Sequence, residues 1–156
     1  VMSTKVNETE ADVITALLHA LRDVYRENGK PLDAASVGII APYRNQIALI
    51  RQKLLESGLP ETEKIMIETV ERFQGSQRDV ILVSFCVNDP SQMDFLCNMN
   101  RDGTVDRKLN VAITRARQQL FLVGNAGILR QHPVHALLLD HYRERTLVPE
   151  ISFQVV

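Results

Sequence analysis

The chain has 156 residues, 18 of them basic and 19 acidic, for a formal net charge of −1, and is 45% hydrophobic and 24% charged. That length fits one domain and is too short for two of ordinary size, and the composition is that of a soluble globular protein. Intrinsic disorder and a strongly basic tail are excluded, so any surface for nucleic acid has to be local.

The first element is a helix. Asn7 with Glu10 three residues later has the form of a capping box, and Val13, Ile14, Leu17, Leu18, Leu21, Val24 and Tyr25 recur at helical spacing until Asn28-Gly29 and Pro31 stop it. Ser36 to Ala41 (SVGIIA) is a short apolar run bounded by Pro42 and reads as a buried strand. Arg44 to Ser57 is a second helix through Ile47, Ile50 and Leu54, ended by Gly58 and Pro60. An alternating strand over Lys64 to Thr69 and a continuous apolar strand over Val80 to Val87 follow. Lys108 to Arg117 is compatible with a helix, Leu120 to Val123 with a strand, and His132 to Arg145 with a last helix that has Pro133 in its first turn; the tail can add an edge strand.

Strands alternating with helices predict an α/β fold with a mostly parallel sheet, and continuous apolar strands predict that both sheet faces are covered. Ligands in such folds sit at the carboxyl ends of strands, which directs attention to the loops after Ala41, Thr69, Val87 and Val123. The run from Val80 to Val87 is too short to span a membrane, no charged-then-apolar leader opens the chain, and Cys86 and Cys97 follow no paired spacing. Free thiols in a cytoplasmic setting are the expectation.

Several chemistries lack their residues. There is no G-x-x-x-x-G-K-[ST] phosphate loop, no G-x-G-x-x-G, and no Asp-Glu pair at a strand end to hold magnesium. Asp89 precedes Pro90 and reads as a turn residue. His132 and His135 flank Pro133 with no third ligand evident, so no metal site is expected. No serine, cysteine and histidine combination marks a nucleophile.

Three clusters remain. Ala41 to Gln46 (APYRNQ) leaves the first strand and could be only a proline turn opening a solvated helix. Glu68 to Asp79 (ETVERFQGSQRD) carries a threonine, a glycine that lets backbone approach a ligand, and amides able to meet sugar or phosphate; a polar hairpin would look the same. Arg107 to Arg117 (RKLNVAITRAR) is a basic amphipathic segment. On a regular helix residues two apart point roughly 200° from each other, so Arg115 and Arg117 would diverge, one free to reach an anion and the other near a surface or an ion pair.

In this order the clusters resemble the C-terminal RecA-like domain of superfamily 1 helicases, in the branch of the nonsense-mediated-decay helicase and the replication nuclease-helicase. Pro42-Tyr43 with Gln46, Thr69-Val70 with Phe73-Gln74-Gly75 and Asp79, Leu109 to Arg117, and Val123-Gly124-Asn125 match that family's pattern, and the matching segments run from about Asn7 to Arg145. The resemblance implies a RecA-like three-layer sandwich of the P-loop NTPase type without its own P-loop. It implies that residues 1–156 are one lobe of a longer motor whose N-terminal RecA-like domain holds ATP and magnesium. By position, Arg115 would be the arginine finger toward the γ-phosphate, Gly75 and Gln77 would flank the nucleotide, and Thr69 would meet a phosphate of a single strand, DNA rather than RNA. Tyr43 and Gln46 would line the nucleic-acid side or the domain interface. The chain departs from the pattern at Gln77, where the family has a glutamate, and at Cys97 to Asp106, a longer link whose Asp102-Gly103 signals a hairpin. The contrasting expectation is a degenerate, non-catalytic RecA-like module that only binds protein or nucleic acid.

Overall fold

A computed structural model of the chain describes residues 5–143; the expected edge strand in the tail lies outside them. Helix α1 (Glu8–Glu27) leads into strand β1 (Val37–Ile40), helix α2 (Arg44–Glu56) and strand β2 (Met66–Glu68). Strand β3 (Arg78–Ser84) follows, then a short helix α3 (Met93–Leu96) and helix α4 (Arg107–Thr114). Strand β4 (Ala116–Val123), a short helix α5 (Ala126–Leu129) and helix α6 (Pro133–Arg143) complete the described chain. The four strands form one parallel sheet in the order β2-β1-β3-β4. No helix among the described residues is long and apolar enough to cross a membrane.

Both sheet faces are covered, which is why β1 and most of β3 read as continuous apolar runs. On one face Ala11, Ile14 and Leu18 of α1 and Ile50 and Leu54 of α2 pack on Val37, Ile39, Val80 and Leu82. On the other, Ile40, Ile81 and Val83 meet Phe73, Leu109, Ala112 and Leu129. These are the three layers expected of a RecA-like fold.

Strand β2 reaches β3 by crossing over β1 with a single 3₁₀ turn, Val70–Phe73, in place of a helix. The crossing passes so close that a Cβ on Gly38 of β1 would lie 2.8 Å from the fully buried Phe73 ring and 3.1 Å from Arg78 Cγ. Gly38→Ala is therefore expected to destabilise the fold by roughly 1–3 kcal/mol through overpacking. Urea unfolding measures this, and Gly38→Ala/Phe73→Leu should lose less than the two single changes summed, because the sites share one contact.

Several boundaries differ from the sequence reading. The capping box at Asn7 is only half formed: Asn7 Oδ1 accepts from the Glu10 amide at 2.8 Å, but the Asn7 amide donates to Gln46 Oε1. Glu10 instead reaches the sheet, accepting from Ser84 Oγ at 2.6 Å and from the Cys86 amide at 2.9 Å. Strand β3 stops at Ser84 rather than Val87, and Cys86 has φ +50°, a left-handed backbone that a non-glycine residue adopts only under constraint. The helix expected over Lys108 to Arg117 ends at Thr114, and β4 begins at Ala116 rather than Leu120. Residues 97–106 do form the anticipated hairpin, closed by an antiparallel bridge between Met99 and Asp106.

Candidate functional site

The candidate residues divide between the two ends of the sheet. Gln77 immediately precedes β3 and Arg115 immediately precedes β4, and these strands are parallel, so both residues lie at the amino edge. Thr69, Tyr43 and Gln46 follow β2 and β1 and lie at the carboxyl edge. The expectation that the chemistry would gather at carboxyl ends therefore holds for only half of the set. The reason is the short crossover, which carries the Thr69-to-Gln77 segment from one edge to the other.

At the amino edge the backbone amide of Arg78 donates to the Arg115 carbonyl at 3.0 Å, and Gln77 Nε2 donates to the Thr114 carbonyl at 3.3 Å. These bonds hold the end of α4 against the loop that precedes β3. Gly75, at φ +73°, makes the loop's turn, and a Cβ placed on it would meet nothing within 4 Å, so open space lies beside it. With its Nε2 engaged, Gln77 keeps its side-chain Oε1 without a partner among the described residues and able to accept a hydrogen bond, while its backbone carbonyl accepts from Arg78.

The two arginines separate by partner. Arg117 pairs with Asp79 at 3.1 Å and reaches the Ala35 carbonyl at 3.4 Å. Half-buried Arg115 has no carboxylate partner among the described residues; its guanidinium donates only to Thr114 Oγ1 at 3.1 Å, and its buried Nε has no partner. The divergence expected from a regular helix thus arises differently: Arg115 caps α4 and Arg117 already belongs to β4. A planar donor fork with unfilled capacity beside an open glycine turn suits an anionic ligand.

At the carboxyl edge Thr69 opens the 3₁₀ turn, and its hydroxyl makes no hydrogen bond among the described residues. Tyr43 is only 9% exposed and stacks on Phe95, with ring centroids 5.1 Å apart and planes 16° apart. Burial raises its phenol pKa, partly offset by a hydrogen bond with Gln92. Phe95 is the surface member of the stack at 55% exposure, and Lys108 Nζ lies 5.0 Å from its ring centre. Sequence reasoning missed the role of Phe95 and Lys108: Phe95 falls in no motif, Lys108 reads only as part of the basic amphipathic cluster, and the pairing with Tyr43 is made by the fold.

Gln46 departs from expectation. It is fully buried, accepts from the Asn7 amide at 2.8 Å, and donates to the Asn7 carbonyl at 3.0 Å and Ser84 Oγ at 3.2 Å. Its amide ties α1, α2 and β3 together, and it braces the Tyr43 turn rather than facing a ligand. Removing the brace by Gln46→Ala leaves buried polar partners unsatisfied, and about 1–3 kcal/mol of stability is expected to be lost in denaturant unfolding.

Neither cysteine is an activated nucleophile. Burial, with Glu10 adding to it, pushes the Cys86 thiol up to about 12, and burial with nearby Asp106 does the same for Cys97. Asp89 caps the turn at Pro90–Gln92, as its sequence position implied.

A parallel sheet of this order, layered on both faces, with an arginine-bearing amino edge and a threonine-bearing carboxyl edge, defines a RecA-like α/β domain in a sequence without a phosphate loop. Residues 2–127 match the family model described as an AAA domain, and the chain belongs to that family. It is similar to the probable helicase MAGATAMA 3 of Arabidopsis thaliana (31% identity over 152 residues) and to the mouse DNA replication ATP-dependent helicase/nuclease DNA2 (32% over 151). It is also similar to regulator of nonsense transcripts 1 of Dictyostelium discoideum (32% over 152). These matches cover 96%, 93% and 94% of this chain but only 17%, 12% and 10% of the relatives' lengths. The resemblance to the C-terminal domain of superfamily 1 helicases, carried by the three sequence clusters, agrees with them.

Proposed function

We propose that this domain is the second motor domain of an ATP-dependent helicase or translocase acting on single-stranded nucleic acid, DNA rather than RNA. The observation that carries the reading is the division of the site. Gly75, Gln77 and Arg115, which has no carboxylate partner among the described residues, share one sheet edge, and Thr69 and the Tyr43–Phe95 stack share the other. One lobe can thus face a nucleotide and a strand at once. ATP with magnesium is held mainly by an N-terminal RecA-like domain of the same parent chain, which supplies the phosphate loop and the metal-binding carboxylates absent from this sequence.

The amino edge fits such a ligand: the Arg115 fork has unfilled donors, Gln77 offers an uncharged acceptor in place of the family's glutamate, and Gly75 leaves room for close approach. Bound ATP supplies the transferable phosphoryl group and the charge that Arg115 would stabilise. At the other edge the Thr69 hydroxyl would meet a backbone phosphate, and Phe95 with Lys108 would present an aromatic and cationic surface to the strand.

The test is ATP turnover by the full-length protein with single-stranded DNA and RNA compared side by side. Strong stimulation by DNA, weaker stimulation by RNA, and no turnover by the 156-residue piece are expected. Turnover by the isolated piece would sink the half-motor reading. Strand binding by the full-length protein without any turnover would favour the non-catalytic module, for which Gln77 is the supporting feature.

A further inference from the structure

On the carboxyl side of the sheet, behind Phe85, the fold gathers a set of potential metal ligands that sequence spacing left incomplete. His132 and His135 flank Pro133, and because Pro133 is the first residue of α6 the two imidazoles meet on one side of the helix start, with ring centroids 5.2 Å apart. The missing third ligand comes from the far end of α3: one donor atom from each of Cys97, His132 and His135 lies within 4.8 Å of the others. Cys97 Sγ is 3.4 Å from His135 Nε2, and Asp106 Oδ2 is 3.1 Å from the same nitrogen. With zinc–nitrogen and zinc–sulfur bonds of about 2.0 and 2.3 Å, tetrahedral ligand atoms are separated by roughly 3.3–3.6 Å. The Cys97 and Asp106 separations are close to that range, and the His132 donor lies within 4.8 Å of those of Cys97 and His135.

Two further observations point to a ligand. His132 Nδ1 is buried without a hydrogen-bond partner among the described residues and is free to coordinate. His135, only 1% exposed, would instead coordinate through Nε2, the nitrogen facing Cys97 and Asp106, with its ring proton moved to the unpartnered Nδ1. A small cavity lined by Asp106, His135, Leu96 and Lys108 gives an approach to the cluster. The rival arrangement, a cysteine–histidine–aspartate nucleophile, does not fit. Its cysteine and aspartate must engage opposite imidazole nitrogens, whereas here both contact Nε2.

We propose that Cys97, His132 and His135, with Asp106 alongside, bind a zinc-class divalent ion that clamps the base of the 97–106 hairpin to the start of α6. Mixed sulfur and nitrogen donors select zinc or a similar borderline metal over magnesium or calcium. Coordination would form bonds from the Cys97 thiolate and the imidazole nitrogens to the ion, and the thiol proton would pass to solvent. Asp106 already fixes the hairpin from the other end, since its Oδ1 accepts from the Asn98 amide at 3.0 Å and the Lys108 amide at 3.1 Å. The ion would therefore join both ends of the insertion to one helix.

The test is metal content and cobalt titration of the full-length protein, comparing wild type with Cys97→Ser and His132→Gln. The wild type is expected to carry one more equivalent of zinc than either variant. On cobalt substitution it should show a sulfur-to-cobalt charge-transfer absorption that Cys97→Ser abolishes. His132 is only half-buried, so His132→Gln keeps the test independent of folding, which circular dichroism checks. Equal zinc content in all three proteins after zinc loading, or a cobalt spectrum without the sulfur band in wild type, would overturn the site.

Discussion

Arg115→Ala is expected to lower strand-stimulated ATP turnover of the full-length protein by about a thousandfold or more, the range in which arginine fingers act in phosphoryl transfer. A thousandfold corresponds to about 4 kcal/mol of transition-state stabilisation. Among the described residues the side chain makes one hydrogen bond, to neighbouring Thr114, and its structural contact with β3 runs through its backbone carbonyl. The substitution therefore removes a donor fork without removing a support. Strand affinity should change little, because Thr69 and the Tyr43–Phe95 stack stand at the opposite edge of the sheet. Arg115→Lys should recover only part of the rate, since a point charge does not replace a planar fork. Arg117→Ala is the internal contrast. Its partner Asp79 is already in place at the surface, so about 1 kcal/mol or less of stability should be lost, with turnover largely kept. Near-normal turnover in Arg115→Ala, or an equal loss in both variants, would remove Arg115 from the finger role.

The parts of this arrangement that were legible in the sequence are those set by local pattern. The apolar stripe of α1, the closed runs of β1 and β3, and their alternation with helices yield the layered parallel sheet without tertiary information. The failures share a cause: a local preference lost to a partner far along the chain. Arg115 to Arg117 reads as the end of a basic helix, yet Ala116 onward pairs with β3, and the ladder overrides the helical pattern. Glu10 stands where a capping box needs it, but Ser84 and Cys86 draw its carboxylate away and Gln46 takes the Asn7 amide. Gln46 carries a motif signature while its amide lies inside the fold, because no spacing rule distinguishes a buried amide from one facing a ligand. Cys97 lies far from His132 in sequence, so its convergence with the histidines depends on how α3, the hairpin and α6 pack. Among the motif residues, type and order were readable; which edge each one serves was not, because the crossover over Gly38 moves half of them to the other end of the sheet.

The polar link among Glu10, Ser84 and Cys86 leads to the second large effect, on stability against pH. Glu10 is 3% exposed, and burial raises its pKa from 4.5 to about 7 even though Ser84 and the Cys86 amide donate to it. Between those values the folded chain keeps a proton that the unfolded chain has released, so stability falls as pH rises through this window. The stabilisation is complete below about pH 4.5 and lost above about pH 7, a swing on the order of 3 kcal/mol from the size of the shift. Glu10→Gln removes the titration and retains a carbonyl oxygen able to accept from Ser84 and Cys86. Denaturant unfolding from pH 4.5 to 8 should therefore show the wild type losing about 3 kcal/mol relative to the variant, whereas parallel profiles would refute the assignment. The ionised carboxylate also falls where the fold is strained. It holds the Cys86 backbone at φ +50°, and Ser84 passes the link to Gln46, the brace behind Tyr43. The Ser84 and Cys86 bonds favour the ionised form and hold its pKa down, so deprotonation keeps this link; its cost is the desolvated charge itself, read as the loss of stability toward pH 8.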